Sequence, residues 1–111
     1  MFTMTIPAGW AGPVAAYERF LLAAGCTPKT VALRRDWLAR FARWVQTEPF
    51  SVETTSVIDW SANQHWSQST RRSAHQTVKG FYAWALSNGY IQDVPKVPSV
   101  RKTPAAPHPA S

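Results

Sequence analysis

A single cysteine, Cys26, stands in 111 residues, which excludes a disulfide framework and a cysteine-rich zinc site. No apolar run approaches the roughly 18 residues that a membrane span needs. Met1 to Trp10 lacks the basic start and apolar core of a signal peptide, so the sequence reads as cytoplasmic. Only 6 acidic residues are present, and no two of them are spaced as a general acid and base would be. His65, His75 and His108 are too scattered for a metal site, and no glycine-rich phosphate loop occurs. No cofactor is expected, and an enzyme in its own right is the least favoured class. Cationic side chains are the abundant counterpart: 12 Lys and Arg give a net charge of +6 and a pI near 10.1. That balance points to an anionic partner, nucleic acid first.

Half of this charge belongs to the last residues. Lys96, Arg101 and Lys102 lie in 96–111, beside Pro98, Pro104, Pro107 and Pro109. Little there is large and apolar, so burial cannot offset chain entropy and an extended, mobile tail is expected. It reads equally as a semi-rigid spacer or as a plain disordered terminus.

The rest is punctuated as helices. Pro13 opens a first helix and Gly25 closes it, with Val14, Tyr17, Phe20, Leu21 and Ala24 on one face. Thr27-Pro28 reads as a cap and first helical position for a second helix to about Gln46, with Val31, Leu38, Phe41, Ala42 and Val45 inward. Residues 47–54 form a loop. Thr54 or Thr55 caps a short third helix with Val57, Ile58 and Trp60. Ser67 or Ser69 caps a fourth, stopped by Gly89, with Ala74, Val78, Phe81 and Ala85 inward. No strand pattern or repeat is present. The expected fold is all-α, a compact four-helix bundle over 11–95, preceded by an extension over 1–10 and followed by the Pro-rich tail over 96–111.

On a helical wheel, Lys29, Asp36, Arg40 and Arg43 fall opposite Val31, Leu38 and Val45, while Arg34 and Arg35 flank the apolar stripe. Arg72, His75 and Lys79 share a face opposite Ala74, Val78 and Phe81. Thr27-Pro28-Lys29-Thr30 and Ser69-Thr70-Arg71-Arg72 join hydroxyls and cations to helix N-termini, a combination that suits phosphates. A helix also fits the major groove, where Arg, His, Asn and Gln read base edges. Duplex binding and a solvated face of a protein-interaction module both remain open on these residues. Trp44, Trp60 and Trp84 are expected in the core; Trp66 falls in a loop and is open to either role. Trp10 and Trp66 would be the exposed apolar groups of an interaction module.

The motifs in order are Tyr17-Glu18-Arg19-Phe20-Leu21 with Gly25, Thr27-Pro28-Lys29-Thr30, Arg34-Arg35, Leu38 and Phe41-Ala42-Arg43-Trp44, Ser69-Thr70-Arg71-Arg72-Ser73, Phe81-Tyr82-Ala83-Trp84-Ala85 and Asn88-Gly89-Tyr90-Ile91. Over residues 11–103 this series resembles the core-binding, SAM-like N-terminal domain of tyrosine recombinases, the phage integrase family. Val94-Pro95 stands where that family often has Asn-Pro, and 97–102 is similar to the linker leading to its catalytic domain. The resemblance implies a bundle that closes, with a catalytic domain, around a core recombination site, its second and fourth helices against the major groove. It implies contacts at Lys29, Thr30, Arg34 and Arg35, and at Ser69, Arg71, Arg72, His75 and Lys79. The wheel independently favours Lys29, Arg72, His75 and Lys79, and places Arg34 nearer the apolar side.

The family's catalytic set of Arg, Lys, His-x-x-Arg, His/Trp and Tyr does not follow Pro109, and Tyr17, Tyr82 and Tyr90 read as packing residues. The catalytic domain is therefore expected to be absent from this chain, as a fragment or a natural truncation. If Met1 is the native start, no arm-binding domain precedes the bundle. The implied partners are double-stranded core-site DNA and other protomers of a synaptic tetramer, in a bacterial host and associated with its nucleoid. A stand-alone regulator that occupies DNA without cutting is the remaining alternative.

Overall fold

The computed structural model describes residues 6–100. Four helices, with no strand among the described residues, make up the fold: α1 (Ala8–Ala23), α2 (Pro28–Val45), α3 (Thr54–Ala62) and α4 (Gln68–Ser87), with a single 3₁₀ turn at Pro49–Ser51. The all-α bundle is as the periodicity predicts. None of the described helices is long and apolar enough to cross a membrane.

α1 begins five residues before Pro13, which lies within the helix. The expectation that Pro13 opens it is corrected, and the exposed Trp10 that the interaction-module alternative calls for is not found. An interior proline costs about 3 kcal/mol, because its ring crowds the carbonyl four residues back and supplies no N–H to it. Trp10 offsets this. Its indole is 1% exposed, edge-on to Phe41 and stacked on Phe81 with both ring centroids 5.8 Å away. Its Nε1–H donates to the Thr47 carbonyl at 2.8 Å. Roughly 200 Å² of aromatic surface at about 25 cal/mol/Å² is an upper estimate near 5 kcal/mol, enough to hold the extra turn. Trp10, Val14, Tyr17 and Leu21 then form the buried face of α1.

Local sequence sets the other ends. Thr27 Oγ1 accepts from the Thr30 N–H at the start of α2, and Ser67 Oγ accepts from the Thr70 N–H at the start of α4. Gly25 and Gly89 take φ of 95° and 77°. The amides after them close on Leu21 and Ala85, so both helices stop in a left-handed glycine turn. Thr54 is not a cap. It is the first residue of α3, and its Oγ1 instead accepts from the Lys96 N–H at 2.9 Å.

Leu38, Phe41, Val57, Val78, Phe81 and Ala85 are fully enclosed between the helices. Tyr82 donates its hydroxyl hydrogen to the Pro49 carbonyl at 2.7 Å, tying the 3₁₀ turn to α4. Trp60 and Trp84 are buried as expected; Trp44 is not, being 42% exposed. It lies about 120° around α2 from Leu38, beyond the buried stripe. Trp66 is half-buried, edge-on to Trp37 and Trp60. The tail is extended through Val100 but pinned at its root, by the Lys96 bond to Thr54 and a contact from Pro98 to His75. Arg101, Lys102, Pro104, Pro107, His108 and Pro109 lie outside the described residues.

Candidate nucleic-acid interface

The nine residues singled out from the sequence divide into two groups. Lys29, Ser69, Arg72 and Lys79 are exposed, and Thr30 is half-buried beside its capping partner. Lys29 stands in the first turn of α2. Ser69 stands in the first turn of α4, where unpaired N–H groups favour an anion, and Arg72 stands one turn further along. Arg72 and Lys79 lie seven residues apart, so they share one face of α4.

The other four are engaged within the bundle. Arg34 donates from Nη1 to Thr77 Oγ1 at 3.0 Å, joining α2 to α4. Arg35 pairs with Glu18 of α1 at 3.7 Å. Arg71 reaches from α4 to the end of α3: Nη1 donates to the Ser61 carbonyl and to Ser61 Oγ, and Nη2 donates to the Gln64 carbonyl at 3.0 Å. The Arg71 guanidinium also lies 5.4 Å from the centre of the Trp66 ring. The planar fork suits this task, because it meets two carbonyls and a hydroxyl at once.

His75 is 7% exposed, because the tail crosses α4 beside Arg72, Gln76 and Lys79. Its Nε2 meets Ser61 Oγ at 2.6 Å and its Nδ1 meets the Pro98 carbonyl at 2.7 Å. The carbonyl only accepts, so the proton sits on Nδ1, and Nε2 accepts from the serine, which in turn accepts from Arg71. Burial holds the imidazole pKa below its ordinary value; the Pro98 bond opposes that shift and the Arg71 charge adds to it. A histidine with a depressed folded pKa stabilises fully above its unfolded pKa, near 6.5, and loses that contribution as pH falls below it. Between pH 7 and pH 5 the wild-type thermal midpoint should therefore drop further than that of His75→Gln. Equal drops in a parallel melting series would show that His75 does not carry this dependence.

The sequence reading did not single out a second feature. Arg40, Arg43, Trp44, Trp60, Gln64 and Trp66 line a groove of about 400 Å³ between the C-terminal half of α2 and the α3–α4 connection. Arg40 and Arg43 were legible on the outer face of α2, but the partners of Trp44 come from another part of the chain. Among the described residues no cluster of His, Cys, Asp and Glu could hold a metal ion.

No protein-family model and no curated protein matches the chain. Among solved structures, it is similar to the integrase from mycobacterium phage Brujita, with a TM-score of 0.80 and 21% sequence identity. The likeness covers 91% of this chain and 36% of that one, so the chain spans about a third of the integrase's length. What the two share is the fold.

Proposed function

We propose that this chain is the core-type DNA-binding domain of a phage-type tyrosine site-specific recombinase. The observation that carries the reading is the coincidence of an integrase-like fold with exposed cations and hydroxyls on α2 and α4. Lys29, Thr30, Ser69, Arg72 and Lys79 are the direct contacts in this reading. Arg34, Arg35, Arg71 and His75 act mainly by holding α2 and α4 in place. Phosphate contacts supply most of the affinity, and base-edge contacts from α2 and α4 in the major groove supply the preference. The partner is a core-type attachment-site duplex in the bacterial nucleoid. Strand cleavage belongs to the recombinase's catalytic domain, and the bundle docks that domain and contacts neighbouring protomers of a synaptic tetramer.

Fluorescence anisotropy with a labelled random duplex, across a salt series, tests this. The wild type should bind weakly, with affinity falling steeply as salt rises. The double variant Arg72→Ala/Lys79→Ala should bind about ten-fold more weakly at low salt, with a salt slope reduced by about two, one for each lost phosphate contact. Its thermal midpoint should be unchanged. No binding by the wild type at low salt, or the same binding by the variant, would remove α4 from the interface and favour a protein-interaction module.

A further inference from the structure

We infer that the groove beside Trp44 is a separate binding site for single-stranded nucleic acid, taking an unpaired base against the indole and its phosphate against Arg40 and Arg43. Three observations converge. Trp44 keeps 42% of its surface exposed although it is among the largest apolar side chains of the bundle. The groove it borders carries two arginines and a glutamine, and no carboxylate lines it. Neither arginine has an ion-pair partner among the described residues, where Arg35–Glu18 is the single salt bridge.

The occupant must then be anionic and must offer a flat apolar face. An unpaired nucleotide has both, whereas a duplex hides its base faces in the stack. An aromatic platform with cationic flanks is sequence-tolerant, since every base has a π-face. The position also separates this site from the duplex contacts on α2: Trp44 lies fifteen residues beyond Lys29, roughly 22 Å along the helix axis. Arg40 is steadied by the Trp37 ring, 5.1 Å from its guanidinium carbon, which leaves its charge near the groove.

The inference rests on different residues from the proposed duplex interface and is tested apart from it. The probe is a labelled twelve-nucleotide oligo-dT, compared with an abasic strand of the same length and charge. The wild type should bind the oligo-dT about ten-fold more tightly than the abasic strand, with quenching of tryptophan fluorescence. Trp44→Ala should abolish that difference and leave duplex affinity within two-fold. Arg40→Ala/Arg43→Ala should weaken both single strands. Circular dichroism should show Trp44→Ala folded, since the side chain lies outside the core. Equal binding of oligo-dT and abasic strand, or an unaltered difference in Trp44→Ala, overturns the inference. So does equally tight competition by an octaglutamate peptide, which would make the groove a general anion surface. Loss of duplex binding in Trp44→Ala would assign the indole to the duplex face instead. Oligo-dT binding without duplex binding supports this site and overturns the duplex reading; the reverse overturns this site alone.

Discussion

Trp10→Ala is expected to cost about 3–5 kcal/mol of folding stability, the range for emptying a buried aromatic site. In a domain of this size that lowers the thermal midpoint by at least about 12 °C. The cost has three sources. The Phe41 and Phe81 rings lose their shared neighbour. The Thr47 carbonyl loses its donor. The first turn of α1, already weakened by Pro13, loses what holds it to the bundle. Trp10→Phe keeps most of the apolar area and loses the hydrogen bond, so it should cost less than half as much. A thermal melt of the three proteins checks this. If residues 8–12 were only an appended extension, Trp10→Ala would shift the midpoint by no more than about 4 °C, the scale of an exposed substitution.

Arg71→Ala is the second large effect. It strands the Gln64 carbonyl, leaves the Ser61 carbonyl with the Gln64 N–H alone, and removes the donor that orients the Ser61 hydroxyl toward His75. At about 1 kcal/mol for each of the three hydrogen bonds lost, the total should reach about 2–3 kcal/mol. Arg71→Lys should recover little, because an ammonium cannot place donors on all three acceptors in the geometry of the fork. The contrast with Arg72 is the discriminating measurement. Both arginines stand at the start of α4, yet Arg72→Ala should lower duplex affinity and leave the thermal midpoint in place, while Arg71→Ala should lower the midpoint first. If Arg71→Ala melted like the wild type and lost duplex affinity, Arg71 would be a direct DNA contact and its bonds to α3 incidental.

That contrast shows where a helical wheel is informative and where it stops. Caps at Thr27 and Ser67, stops at Gly25 and Gly89, and the inward stripe of Leu38, Phe41, Val78 and Phe81 are local, so spacing within one segment reveals them. A wheel sees only one helix. It put His75 on the outer face of α4, whereas the side chain is buried against Ser61 of α3 and covered by a tail that arrives from more than twenty residues away. It put Arg34 at the edge of the apolar stripe, which is why that side chain meets Thr77 of α4. Pro13 misled for a different reason: the rule that proline opens helices describes a local cost, and the burial of Trp10 against residues 41 and 81 exceeds it. Trp44 misled through composition, since a large apolar residue is expected inside even where its helix turns outward. The groove around it joins α2 to the α3–α4 connection and has no signature in either segment alone.

The bonds from Lys96 to α3 and from Pro98 to α4 change the mechanics of the tail. A chain free from Val94 onward would swing about the end of α4. Clipped at two points on different helices, it begins to swing only beyond Pro98, four residues later. At about 3.3 Å per extended residue, this removes roughly 13 Å from the radius that anything joined beyond Val100 can sweep. A smaller swept volume means a higher local concentration of that cargo at the bundle's surface. The two hydrogen bonds thus act as a tether setting, holding the free length short while both are made.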